Sequence, residues 1–595
     1  MLNTVLLIRL LLLLGAVTVA CSDSPSPTPT VESPTALVST ITPAVASSVP
    51  TATALPFPSP RPTATAPSPA PALSPTPGRS PLATPGPTRS APTPVIEGKH
   101  GGTLNLAARE NIAHQDVHQE ASPALSTWGP GIVYSRLLRF QSGPELELPS
   151  LAVECELCES WGMSETGTEF TFRLRDGVRW QDIPPVNGRA LTSDDIAFSY
   201  ERQRQDGWPN APLLHMVEEI TGPRPDLLRI SLLAPDADFF ASLADGRSKI
   251  VARDAVQVQG DLKGGPTIGS GPWILAETRP DVSHTFESNL DYFERPYPFV
   301  DKLKIHVITD AETRDAAFRV GALDVQQMEP QEWEKYRQQE PGAPFMRVRA
   351  PGTGLEVALN TSASPFDDAR VRRAVFQAMD PWQAVEDVWL SSAFVSLGMP
   401  PAEADWLLAE PDLRDYFGDA DLARELLSNS GLDLPLSVSM KVGDFGEPYR
   451  AHASRIADEM RAIGFAPTLQ LMNRRQFGDE VWLGGDYQMF VGPIAPVTTP
   501  NGYVLPVLHS QGRWNTTRHS DAELDRLIEA QAVELDPTAR KELVRNIQRR
   551  ALEGAYRFTP ATGASVWAWR PRVQGFYPNF AGFEYSHWAN VWIDE

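Results

Sequence analysis

From Ser22 to about Pro94 the chain is mostly proline, threonine, serine and alanine, as in Ser26-Pro27-Thr28-Pro29 and Ser80-Pro81-Leu82-Ala83-Thr84-Pro85, with no helical or strand periodicity. Such a stretch buries too little apolar surface to offset the entropy of ordering it. It is therefore expected to stay extended and partly polyproline II. This removes the start of the 595-residue chain from any core. What remains, about 500 residues, is enough for two large lobes.

Ahead of it lies an apolar run, Leu10 to Ala20, with Arg9 just upstream. The run is too short and too weakly flanked for a stable membrane span, and residues 1–20 read as an export signal peptide. It ends in Thr18-Val19-Ala20-Cys21, which resembles the lipobox at which signal peptidase II cleaves and the new N-terminal cysteine is acylated. Thr18 stands where leucine is usual, so ordinary secretion or a retained anchor stays open. One acyl chain holds a membrane only marginally, and a stable anchor at Cys21 needs two or three. Residues 21–97 then form a lipidated, disordered tether, reaching on the order of 50 Å or more from the membrane.

Charge removes one class of partner. With 52 basic and 74 acidic residues the net charge is -22, whereas phosphate binding needs a basic face to displace counterions. No nucleic-acid partner is expected. Three cysteines, one of them Cys21, allow at most one intramolecular disulfide in the mature protein and exclude a small disulfide scaffold.

The folded region opens at Lys99-His100-Gly101-Gly102, followed by a short alternating strand from Thr103. Phe170 to Leu174 also alternates like a strand. Thr192-Ser193-Asp194-Asp195 before Ile196 reads as a capped helix start. Val371, Ala374, Val375 and Ala378 mark the core face of one helix, and Ile456, Met460 and Ile463 that of another. Ser520-Asp521-Ala522-Glu523 reads as a capping box ahead of Leu524, Leu527 and Ile528. Asp536-Pro537 punctuates the step to the next helix. Gly431 and Gly464 sit where helix C-caps belong. The class is mixed α/β.

The order of these segments resembles the family 5 extracellular solute-binding proteins, the dipeptide-, oligopeptide- and nickel-binding components of ABC importers. The pieces that carry the resemblance run from Gly101 to the C-terminus. Among them are Gly101-Gly102-Thr103-Leu104, Val133 to Leu138, Glu159-Ser160-Trp161, Phe170 to Trp180 and Leu191 to Arg202. Gly269-Ser270-Gly271-Pro272-Trp273, Asn289 to Phe293, Gly321 to Val325, Asn360-Thr361 and Val371 to Val375 complete them. Each is a short mix of common residues; their shared order is the specific signal. The resemblance implies a two-lobed periplasmic-binding-protein-like fold, with a hinge and an interlobe ligand cleft. By analogy, residues 98–345 plus 561–595 form lobe I and residues 346–560 lobe II. Ligand contacts made by both lobes exist only in the closed form, so binding shifts the population toward closure. The implied function is capture of a peptide or other small solute and its delivery to permease and ATPase subunits, by a monomer with no cofactor. A receptor that presents its ligand to a sensor, or a binder of a non-peptide solute such as an oligosaccharide or metal chelate, is the alternative.

Peptide-binding relatives hold the ligand's α-amine with an aspartate in a segment that corresponds here to Val491-Gly492-Pro493-Ile494-Ala495-Pro496-Val497-Thr498-Thr499-Pro500-Asn501. No acid occurs there. A buried ammonium without a carboxylate partner costs several kcal/mol, which counts against ordinary peptides with a free N-terminus. Pro493, Ile494, Ala495 and Thr498 of that segment are candidate ligand contacts, with Asn360. Trp128, Trp482, Tyr487 and Trp514 are candidate aromatic walls, set against ordinary core packing.

Cys155 and Cys158 read as a local disulfide; a redox centre would need the pair at a helix N-terminus. His114 and His118 could complete a zinc set with them, against the plainer reading of loop histidines. His118 also falls near a segment that lies close to the cleft in family members, and is a candidate contact. No metal site is assigned. Arg370, Arg372 and Arg373 read as helix-surface charges. No Gly-x-Ser-x-Gly, His-Glu-x-x-His or Gly-x-x-x-x-Gly-Lys motif occurs, and an enzyme is not expected.

Overall fold

The structure is a computed structural model that describes residues 98–494, 498–579 and 587–594. The signal peptide, Cys21, the tether and Ala495 lie outside the described residues.

The strand Thr103–Ala108 alternates as expected, and Leu104 and Leu106 face inward opposite Leu303 and Ile305 of the parallel strand Lys302–Val307. Two antiparallel strands, Ser283–Ser288 and Trp273–Arg279, complete a four-stranded sheet. A second four-stranded sheet is wholly antiparallel: Cys158–Met163, Glu169–Leu174, Leu227–Leu232 and Val217–Arg224. Its period-two pattern turns Phe170, Phe172, Leu228 and Ile230 to one buried face. Both sheets feed one hydrophobic core, which also takes Ile196, Trp273 and Trp588. This is the first lobe.

The second lobe is built on a seven-stranded sheet. Leu436–Gly443 lies parallel to both Phe465–Met472 and Met489–Pro493. The first of these parallel pairs is bridged by the helix Glu447–Ile463, whose Ile456, Met460 and Ile463 are buried. Gly464 closes that helix at φ 112°, the left-handed cap that glycine adopts without strain. The core of this lobe includes Val357, Val375, Ile456, Val491 and Ile547.

Two antiparallel strands, Phe345–Leu359 and Arg557–Trp569, run from one core into the other. Val348 and Trp567 belong to the first core, Leu355, Val357, Phe558 and Ala561 to the second. Their register breaks between Arg349 and Gly354, where the lobes meet. Gly354 sits at φ 110°, and a Cβ there would lie 2.1 Å from the Ala561 carbonyl oxygen, so only glycine fits this crossing.

Several local expectations shift in the structure. The Thr192–Asp195 capping box opens the helix Ser193–Gln203 as read. At the later helix the cap is Asp521 and not Ser520, because the Asp521 carboxylate accepts from Leu524 N and also binds Arg550 and Tyr556. Arg372 is not a surface charge: it is buried, and donates to the carbonyls of Phe366 and Gly554, tying the helix Ala369–Ala378 to the end of Pro537–Glu553.

Candidate functional site

Strand Met489–Pro493 pairs with Phe345–Leu359, so that Glu356 lies opposite Gly492. On the face carrying Glu356 and Ala358, Phe477 packs over Gly492, where a Cβ would stand 2.3 Å from its ring. Phe477 meets Trp482 and Phe490 edge-on, each at 5.6 Å between ring centroids. Beside this aromatic group lies a cavity of about 310 Å³, walled by Trp482, Leu483, Phe490, Val507 and Trp514.

Two buried charges sit in that apolar wall. Glu356 and Arg557 approach to 3.2 Å and are almost fully enclosed. Burial pushes the Glu356 carboxyl up, and Arg557 and Tyr503 only partly offset it. The cavity's other carboxylate, Asp479, pairs at 3.6 Å with Arg475 on the exposed side. Only Glu356 is thus held in a buried pair; Asp479 stands largely in solvent. Arg474 at the rim lies over the Phe445 ring.

Tyr487 is buried and its hydroxyl donates to Thr516 Oγ1 at 2.9 Å; Thr516 also borders the apolar cavity. On the other side of Tyr487 is an open polar groove of about 640 Å³. There Asn360 donates to the Tyr487 carbonyl, and Lys441 bridges Glu480 at 2.7 Å and Asp486 at 3.1 Å.

The sequence-derived residues thus separate. Trp482 and Trp514 line the apolar cavity, while Asn360 and Tyr487 border the polar groove. Pro493 and Ile494 are buried at the end of their strand, where Ile494 N donates to Gly354 O at the crossing, and Thr498 is half-buried. Trp128 stands apart in the first lobe, stacked on Trp567 at 6.0 Å and edge-on to Trp588. His118 lines neither cavity. It is fully buried, donating from Nε2 to the Lys249 carbonyl and accepting from Arg202 at Nδ1, while Arg202 also binds Asp116. Burial first, then the Arg202 charge, pushes its pKa down to about 4. Cys155 and Cys158 are bonded to each other across the turn between two strands. With that bond made and His118 engaged at both nitrogens, these groups do not form a zinc set. Among the described residues no cluster of three or more His, Cys, Asp or Glu side chains could hold a metal ion.

Glu356 and Arg557 escaped the sequence reading. Their signal was a lone charge inside the apolar run Leu355-Glu356-Val357-Ala358-Leu359, whose partner lies 201 positions later.

Residues 152–516 match the bacterial extracellular solute-binding proteins, family 5, in that family's middle region. The chain belongs to this family. Its relatives include a di/tripeptide-binding protein of Pseudomonas aeruginosa, 26% identical over 70% of this chain and 81% of the relative. A heme-binding protein A of Haemophilus influenzae is 25% identical over 77% and 87%. Among solved structures, the ABC transporter substrate-binding protein CtaP of Listeria monocytogenes superposes with a TM-score of 0.71 at 18% identity, covering 84% of this chain and all of that one. These relatives are binding proteins, and the shared fold is the two-lobed one. As a family 5 member, this chain is a solute-binding protein; among its described residues no helix is long and apolar enough to cross a membrane.

Proposed function

We propose that this protein captures a small solute carrying an apolar or aromatic group, in a form that presents no free ammonium to the site, and delivers it to the permease of an ABC importer. The observation that carries this reading is the aromatic cavity whose one buried acid, Glu356, is already paired with Arg557. Aromatic walls favour an apolar body, and the buried Glu356 carboxylate, already held by Arg557, is not free to receive an ammonium. The segment 491–501 adds no acid. N-blocked peptides and non-peptide solutes fit this description. The lobes close about the crossing strands, and Cys21 anchors the chain to the membrane by its lipid, with the Pro-rich segment as tether.

A thermal-shift comparison tests the ligand class. Leucyl-phenylalanine would be compared with its N-acetylated form; the acetylated peptide should raise the melting temperature and the free one should not. A ligand at a hundred times its Kd adds about 2.7 kcal/mol of stability. Stabilisation by the free dipeptide alone would overturn the reading.

A further inference from the structure

The two lobes also meet away from the crossing strands, in a buried polar cluster. Asp238, at the start of the first-lobe helix Phe239–Ala244, faces Arg540 of the second-lobe helix Pro537–Glu553 at 2.6 Å. Both are nearly sealed from solvent, at 4% and 5% exposure. The other Asp238 oxygen accepts from the backbone N–H of Asn501 at 2.7 Å. Asn501 Nδ2 donates to Asp236 at 3.0 Å, Arg540 donates to the Ala237 carbonyl at 2.9 Å, and Ala237 N donates to Ala532 O. Gln531 completes the set from within the second lobe, donating to Asn501 Oδ1 and accepting from Arg540.

Two features make this more than packing. Asn501 lies in the first turn of the helix Pro500–Tyr503, so the cluster holds that helix start against the opposite lobe. Its charges are also compensated only while the lobes are together. Arg540 and Asp238 are both buried and find their opposite charge in the other lobe, and a buried charge without its partner is strongly unfavourable.

We infer that Asp238, Arg540 and Asn501 form an interlobe latch that holds Asn501 in place and stabilises the closed form. This rests on the two-lobed solute-binding reading above, but not on the identity of the solute. In the open form each charge returns to water, so the intact pair biases closure modestly. Removing one partner penalises closure heavily, because the other charge must then be buried alone. Removing both charges relieves that penalty.

The test reads interlobe distance directly. Spin labels are placed at Leu290→Cys in the first lobe and Leu432→Cys in the second, in protein carrying Cys21→Ser, and distance distributions are recorded by pulsed electron resonance. Arg540→Met should lower the closed-to-open ratio by about two orders of magnitude, as expected for an uncompensated buried charge. Asp238→Asn added to Arg540→Met should recover at least about tenfold of that loss. If Arg540→Met does not fold, Arg540→Lys, which keeps the charge but loses the two-pronged contact, should shift the distribution in the same direction. An unchanged distribution in the folded variant, or a double variant no more closed than the single one, would overturn the latch. Solute binding retained alongside an unchanged distribution would refute the latch while leaving the solute-binding reading intact.

Discussion

Glu356 and Arg557 stand 3.2 Å apart inside the second lobe, on the two strands that carry the chain from one core to the other. The pair closes one wall of the aromatic cavity and is nearly sealed from solvent. Arg557→Met leaves the Glu356 carboxylate without its guanidinium and should cost about 3–5 kcal/mol in urea denaturation. Glu356→Gln combined with Arg557→Met should cost markedly less. Equal losses in the single and double variants would show that the two side chains do not act as a pair.

Gly492 admits the Phe477 ring, and a methyl group there has no room. Gly492→Ala should push Phe477 off the strand, disturb its edge-on contacts with Trp482 and Phe490, and destabilise the lobe by about 1–3 kcal/mol through overpacking. Tryptophan fluorescence checks it: the spectrum should change even where the fold, by circular dichroism, does not.

Acid should weaken the fold through its buried histidines. Burial lowers the pKa of His118, His284 and His519 to about 4 and of His452 to about 3. In the unfolded chain a histidine titrates near 6.5, so between about 6.5 and 4 the unfolded state binds protons that the folded state refuses. Stability therefore falls as pH drops through that window. Burial raises Glu459 to about 7, which works the other way over part of the same range, since the folded state there keeps a proton the unfolded state has lost. Burial raises Glu356 as well, in the same sense as Glu459; four histidines outweigh these two glutamates. The urea midpoint should fall between pH 7 and pH 5, and His118→Gln should make that fall smaller; an unchanged or steeper dependence in the variant would contradict the buried, neutral assignment.

Cys21→Ser removes the proposed lipid attachment site. The variant should leave the membrane fraction for the soluble extracytoplasmic fraction, with its melting temperature unchanged, because Cys21 is followed by a Pro- and Thr-rich stretch whose composition supplies no core. Membrane retention by the variant would point to the apolar leader itself as the anchor.

Some levels of the structure are legible in the sequence and others are not. Local signals carried well: the alternation at Phe170–Leu174, the Thr192 cap and the Gly464 terminator each depend on neighbours within a few positions, and each appears as read. Family membership was legible because it summed many weak segments in a fixed order. The site was harder. Glu356 and Arg557, or Asp238 and Arg540, are joined only by folding, across 201 and 302 positions. Nothing local marks such a partner. His118 shows the converse: its place near a segment that lies close to the cleft in family members suggests a ligand contact, and its surroundings make it a core hydrogen-bonding group. Trp482 and Trp514, candidate aromatic walls, do line the cavity, but Trp128, an equal candidate, packs against Trp567 and Trp588 in the other lobe.

Native mass spectrometry of the protein, purified without denaturation, tests the central claim most directly. The account predicts a bound small molecule that is released on denaturation, carries an apolar or aromatic group and has no free primary ammonium, and whose occupancy falls in Trp482→Ala and Trp514→Ala. A bound peptide with a free N-terminus, or a solute whose occupancy is untouched by both tryptophan variants, would contradict it.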